Sequence, residues 1–516
     1  MERQHTVRVP HLILLGVILI GASCARWYDI ARCSFWTDEL LSLEVTAGHG
    51  YEHLDRPRGV IVSTPTDLTE LRTAGSWGNF FESLLRGTHP PLYFCSLRLW
   101  RDLWRSDNDM VVRSFSAILS LLAIMLAFDA ARQLHGTTTA LWSAAILAFA
   151  GPQVEFAQEA RGYSMLIALM MGCCAALARI ETRGPSRARW VALLLCATAM
   201  PLTHYLGFVL LAVLLVYAVL RLRERSCMAA LSALIGGAVL MGAIWGPWLT
   251  LQISGFSEHL SWLHVSRPWD FGRVIMRIGW VPLGFLCDAN PNPHWLGYLS
   301  IILLMLPIVL LRRRPDVLLW VLIAWGVVLT IGIGDLMRGT DALAWHRYTL
   351  PAAAATCVLA AVVMSSIRSV WIRHVAPAVL VLACVLALPL SYDRDKPDWR
   401  QLATFVDRYC ADDSTIVFFP NFQGNWYAGV LEIGLTHYSH DPKRREIVLE
   451  NPADDLLVDR LRGAGMIDVV SGSDSPEAIL PGCQVQSQAV FPGIGICSRV
   501  TVPPRQPIYA AGASSP

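Results

Sequence analysis

Along most of the chain, apolar residues run in blocks of about twenty, separated by short polar links. A helix needs about 20 mostly apolar residues to cross a bilayer. On that measure spans are expected near 10–27, 111–132, 137–155, 162–180, 187–203, 204–221, 228–252, 295–311, 316–334, 347–367 and 371–391. The blocks at 137–155 and 187–203 are short, and each has a proline near its end. Two stretches break the pattern. Residues 28–110 are mixed, and within them PLYFCSLRLWRDLW (Pro91–Trp104) sets apolar and aromatic residues at helical spacing around Arg98, Arg101 and Asp102. That predicts a helix lying in the membrane interface. From about residue 392 the runs become short and alternate in type. Helices are expected at Trp399–Tyr409 and Asp454–Arg462, strands at Ser414–Phe419, Glu446–Leu449 and Met466–Val470, and a hairpin at 484–502.

The expected fold class is therefore an α-helical polytopic membrane protein of about eleven helices with a small C-terminal α/β domain. We divide it into a membrane domain (1–391, with the large outer loop 28–110), an extracytoplasmic domain (392–505) and a disordered Pro/Ala/Ser-rich end (506–516). Composition agrees: of 516 residues 54% are hydrophobic and 16% charged, too apolar for a soluble chain of this length. The net charge of +2 gives no reason to expect nucleic acid. The N-terminal run Leu12–Ile20 before Cys24 has the look of a signal peptide. We expect it to be retained as the first anchor.

Short cytoplasmic loops are rich in Lys and Arg. With the N-terminus inside, every expected inner loop is basic: Arg132, then Arg183/Arg187/Arg189, Arg221/Arg223/Arg225, Arg312–Arg314 and Arg368/Arg373. An odd number of spans then puts the C-terminal domain outside, and the location read from this is a multi-pass plasma (inner) membrane protein. Thirteen cysteines form no CxxC pair. In an extracytoplasmic tail one disulfide is plausible among Cys410, Cys483 and Cys497; Cys483–Cys497 would close a hairpin, and Cys410 is an equal partner.

The threading gathers ionisable groups at the outer face. Asp38-Glu39 (in FWTDELLSL) could act as a base, hold a cation or cap a helix. His89 precedes two prolines that set up a helix start. PQVEFAQEARGY (Pro152–Tyr163) brings Glu155, Glu159 and Arg161 to a helix end. There they could pair with each other, and Arg161 could hold a lipid phosphate. Thr203-His204-Tyr205 lies at another outer end. Trp345-His346-Arg347-Tyr348 opens a span outside, against the positive-inside bias, where Arg347 could either snorkel to headgroups or grip phosphate with its planar fork. In the loop 253–294, Trp262, Trp269 and Trp280 are expected as interfacial anchors.

Taken in order, WTDELLSL, THPPLYF, VRSFSA, FAQEARGYSM, THY, HRYTLP and KPDWR (Lys396–Arg400) resemble the membrane-embedded GT-C glycosyltransferases. The closest likeness is to the branch holding protein O-mannosyltransferases and the aminoarabinose transferase of lipid A. The resemblance implies an inverting transfer from a polyprenyl-phosphate sugar to an envelope lipid, glycan or protein. It implies Asp38 as general base and Glu39 as its assistant or an acceptor-orienting group. Arg161 and Arg347, with Tyr348 nearby, would hold the carrier phosphate; His89, Glu159, Tyr163 and His204 would line the donor cleft. No cofactor is implied. Paired acids could take a divalent metal, but no ligand pattern supports one and none is expected to be required. Aminoarabinose transferases carry a Lys where this chain has His89-Pro90-Pro91, which favours the wider group over that enzyme.

Three other readings compete, one of them a non-catalytic scaffold whose tail binds a partner. A polyprenyl-pyrophosphate polymerase or ligase would need an Arg-rich pyrophosphate site and no Asp-Glu loop. A transporter would carry ionisable groups near mid-membrane. Here the middles of 228–252, 295–311 and 347–367 contain no Asp, Glu, Lys or Arg.

Overall fold

The computed structural model describes residues 8–253, 263–265, 270–281, 314–392, 396–409, 414–419, 428–439, 445–449, 451–462, 466–472 and 474–503, with single positions between 284 and 311. Most of the expected span 295–311, together with Trp262, Trp269, Cys410 and the end 506–516, lies outside these. The chain forms two compact units: Met1–Arg32 with Phe81–Arg394, and Cys33–Phe80 with Asp395–Pro516. Part of the first large loop thus folds with the tail.

The first unit is a helical bundle that matches a multi-pass membrane protein. Among the described residues seven helices are long and apolar enough to cross a membrane: Val9–Trp27, Asp109–His135, Tyr163–Arg183, Glu224–Ile253, Pro315–Arg338, His346–Ser365 and Val370–Tyr392. The expected spans 187–203 and 204–221 are helices of 17 and 16 residues, Arg187–Thr203 and Leu206–Arg221. The segment read as one span at 137–155 is two helices, Thr137–Phe149 and Gly151–Gln158, bent by 65°. Pro152 opens the second, where its missing N–H costs nothing. Arg26 stabilises the break. It is wholly buried, and its guanidinium donates to the carbonyls of Ala148 (2.7 Å) and Ala22 (3.2 Å) and to Ser120 Oγ (2.8 Å). A cation there meets the unsatisfied carbonyls and negative dipole end of Thr137–Phe149.

Small residues bring the helices close. A Cβ on Gly326 would lie 2.5 Å from Val213 Cγ2, and one on Gly237 2.7 Å from Ala197 Cβ. The outer surfaces of Val9–Trp27 and Val370–Tyr392 expose Val17, Ile20, Leu386 and Leu390, as lipid-facing helices do. Pro91–Trp104 is helical as expected: Arg101 is buried against Asp107 (2.6 Å), and Leu99, Leu103 and Trp104 are exposed.

The second unit is α/β. Its sheet has the order β1-β3-β2-β4-β6-β5, with β1 Val62–Ser63, β2 Thr415–Phe419, β3 Arg445–Val448, β4 Met466–Ser471, β5 Gln484–Phe491 and β6 Gly495–Thr501. Strands β3, β2 and β4 are parallel, linked by the helices Ala428–Tyr438 and Asp455–Leu461. Every residue of β2 is buried, because helices cover both faces of a parallel sheet. β1 comes from the first large loop and pairs antiparallel with β3. The expected hairpin is β5–β6. It carries no Cys483–Cys497 disulfide. Cys483 precedes β5 near the Gln484–Thr501 rung, whereas Cys497 pairs with Ala489, and Cys483 is a free buried thiol.

Candidate active site

In the first unit four separate links converge. Pro90 is extended (φ −74°, ψ 164°) and Pro91 begins the helix, which fixes His89 at its mouth. Arg161 Nη2 donates to His89 Nε2 at 2.7 Å. That nitrogen therefore carries no proton while the contact stands. The Arg161 backbone is held in turn: its carbonyl accepts from Ser116 Oγ (3.3 Å), which also contacts Tyr93 Oη (3.1 Å). Ser116 belongs to VRSFSA, and Arg113 of the same run donates to the Ile30 carbonyl (2.8 Å). That motif braces the cluster.

His204 ends the helix Arg187–Thr203 in extended conformation (φ −158°). Its Nδ1 accepts the Leu206 N–H at 3.1 Å, so its proton sits on Nε2. The chain reverses so tightly that a Cβ on Gly207 would lie 2.6 Å from Pro201 N. His204 stands 6.3 Å from His89 and 5.8 Å from Tyr163, ring to ring. These groups, with Phe94, Gly162 and Thr203, line a small pocket. Burial, then the charges of Arg161 and Arg347, lower the His204 pKa to about 4. The ring is half-buried. Arg161 lines this pocket, and the charges of both guanidiniums favour the neutral form of His204.

Arg347 is buried in the first turn of His346–Ser365, its guanidinium 4.8 Å from the Trp345 ring centre and 5.5 Å from that of the half-buried Tyr348. A cation at a helix N-terminus is opposed by the dipole by about 0.3–1 kcal/mol. The same place suits an anion, which meets backbone N–H groups and the guanidinium together. Asp335 fixes the link to this helix, accepting from Thr340 Oγ1 (2.6 Å) and the N–H groups of Ala342 (2.8 Å) and Leu343 (2.9 Å). Asp341 pairs with Arg277 (3.1 Å) on the helix Phe271–Trp280. Glu155 and Glu159 are buried just past the bend.

Sequence reading missed Gln252. It is buried, accepts from the Tyr205 hydroxyl, and donates to the carbonyls of Leu84 (2.6 Å) and His89 (3.3 Å). Trp245 Nε1 donates to Tyr205 Oη (3.1 Å). A lone Gln at the end of an apolar run gives no sign of such partners.

Asp38 and Glu39 belong to the second unit, in the first turn of the helix Thr37–Ala47. The N-cap is Trp36, so Asp38 does not cap. Glu39 does that work: its Oε2 accepts the Trp36 N–H at 3.3 Å. Glu39 is wholly buried and Lys396 Nζ lies 3.3 Å from the same oxygen. Asp38 is half-buried. The two neighbouring carboxylates thus have different surroundings.

Residues 88–250 match the family model described as dolichyl-phosphate-mannose-protein mannosyltransferase. The whole chain is similar to ArnT from Cupriavidus metallidurans. The apo structure gives a TM-score of 0.57 at 13% identity, covering 94% of this chain and 97% of that one. The undecaprenyl-phosphate-bound structure gives 0.55 at 14%, covering 96% and 99%. The chain has a GT-C fold. No curated protein matches it. The GT-C likeness covers both units, and the family match spans His89, Glu159, Arg161, Tyr163 and His204 but neither Asp38 nor Arg347.

Proposed function

We propose that this protein is an inverting glycosyltransferase. It moves a sugar from a polyprenyl-phosphate donor to an envelope lipid, glycan or protein at the outer face of the plasma membrane. The observation that carries the reading is a buried cationic cluster at helix ends of the bundle: Arg161 donates to His89 in the pocket that Tyr163 and His204 also line, and Arg347 is buried in the first turn of its helix. A guanidinium pair at that depth suits a phosphate whose lipid keeps it in the bilayer. Each buried CH₂ of such a tail contributes about 0.8 kcal/mol. An apolar groove of about 490 Å³ between Leu206–Arg221 and Leu318–Arg338, lined by Phe208, Val209, Val213, Leu322 and Gly326, suits isoprenyl units.

In this reading Asp38 takes the acceptor's hydroxyl proton. The hydroxyl oxygen attacks the anomeric carbon from the side opposite the phosphate. The carbon–oxygen bond to phosphate breaks and its electron pair leaves with polyprenyl phosphate. Charge grows on that leaving group, so Arg161 and Arg347 favour the transition state over the ground state. His89, Glu159, Tyr163 and His204 line the donor's pocket, and Tyr348 stacks beside Arg347. The N-terminus is cytoplasmic and the α/β unit extracytoplasmic.

The test is release of polyprenyl phosphate from a panel of polyprenyl-phosphate sugars by purified protein with envelope extract. Wild type should release it; Asp38→Asn and Arg347→Ala should lose release at normal abundance. No release by folded wild-type protein with any donor would sink the reading. Equal release by Asp38→Asn would remove Asp38 as base.

A further inference from the structure

The segment Ser34–Glu39, which carries Asp38, is stitched to the C-terminal half of its own unit at three points. The Arg400 N–H donates to Ser34 Oγ at 3.2 Å. The Phe35 N–H donates to Tyr438 Oη at 2.8 Å. Lys396 Nζ meets Glu39 Oε2 at 3.3 Å. Lys396 and Arg400 flank the start of the helix Trp399–Tyr409, and Tyr438 ends Ala428–Tyr438. These two helices pack rigidly: Trp399 is wholly buried, and a Cβ on Gly434 would lie 2.5 Å from its ring. All three contacts join residues more than 350 positions apart, so chain proximity does not explain them.

We propose that the C-terminal half of this unit is a clamp that sets the position of Asp38, with Lys396 and Glu39 as its charged positioning pair. The inference rests on the reading of Asp38 as the base. Glu39 has no exposed surface with which to touch substrate. Its single carboxylate joins the helix N-terminus, through the Trp36 N–H, to a lysine of the tail. Removing Lys396 leaves a buried carboxylate short of a cation. The first helical turn then loosens, and Asp38, one residue away, moves with it. Displacing a reacting group by about 1 Å costs on the order of 100-fold in rate.

The experiment uses full-length protein and two readouts. Hydrogen–deuterium exchange over residues 34–43 reports the clamp without reference to activity. Steady-state release from the donor that wild type cleaves reports its consequence. Lys396→Met and Glu39→Gln are each expected to speed exchange in that segment. Each should lower kcat about 10- to 100-fold with the donor's KM unchanged, and the double variant should fall no further than either single. Lys396→Arg should restore most of kcat. Unchanged exchange in Lys396→Met overturns the clamp. Faster exchange with unchanged kcat overturns its role in positioning. Faster exchange in a protein whose wild type cleaves no donor keeps the clamp and removes the transferase reading instead. If Lys396→Met does not fold, Lys396→Gln carries the same test.

Discussion

His204 offers a sharp test of the cationic pocket, because its protonation is opposed from several directions at once. Its Nδ1 is occupied by the Leu206 N–H, its ring is half-buried, and two guanidiniums act on it. Its pKa falls from 6.5 to about 4. Unfolded, the ring takes a proton as pH drops through 6.5; folded, it resists until about 4. Between those values the unfolded state binds more protons, so this group's contribution to stability shrinks as pH falls. Between pH 7.5 and 5 the loss is about 2 kcal/mol at 1.36 kcal/mol per unit. Solvent screening of a half-buried ring brings that to about 1 kcal/mol. The perturbation is His204→Asn, whose Oδ1 can still accept the Leu206 N–H but does not titrate. Melting temperatures of detergent-purified wild type and variant at pH 7.5 and 5 give the result. Every other titration is common to both proteins and cancels in the difference. Wild type should lose more on acidification, by a few degrees. Equal losses would mean that His204 is not held neutral, and the cationic pocket would fall with it.

Other outcomes follow from the same geometry. Gly207→Ala pushes a Cβ against the Pro201 backbone and should destabilise by about 1–3 kcal/mol, read as a lower melting temperature. Gln252→Ala removes the donor that ties the Leu84 and His89 carbonyls together, which should cost about 1 kcal/mol and weaken binding of the proposed polyprenyl-phosphate carrier by loosening His89. Arg347→Lys keeps the charge but loses the planar fork, and about tenfold weaker binding of undecaprenyl phosphate is expected in a titration.

The bundle was legible because a bilayer imposes one length on every span. What the pattern could not show was where helices stop short of a full crossing. The run 137–155 reads as one apolar block, yet it bends by 65° after Phe149, held by Arg26 from a helix over a hundred residues earlier. The tail's strands were legible as short β-branched runs between turn residues. Its helix Ala428–Tyr438 was not. Valine, leucine and isoleucine bury on several sides of it against the sheet and the helix Trp399–Tyr409, so no polar face marks the helical period. Strand β1 has two residues, too few to show any period.

The candidate site divides in the same way. Its charged members stood out because ionisable groups at the edge of apolar spans are costly and therefore conspicuous: His89, Glu159, Arg161, His204 and Arg347 all fall in one unit, four of them tied by contacts or charge. The roles of neighbours did not stand out. Asp38 and Glu39 are adjacent and alike in sequence, so either could be taken for the helix cap, the base or a second acid. Their difference comes from partners elsewhere: Glu39 turns inward to Trp36 and to a lysine 357 positions later, while Asp38 keeps contact with solvent. A carboxylate with no exposed surface, engaged by the Trp36 N–H and Lys396, does not reach a substrate hydroxyl. A half-exposed carboxylate held still by such a neighbour can meet a substrate hydroxyl. The different surroundings of the two acids are thus decided by long-range packing, which local sequence does not encode.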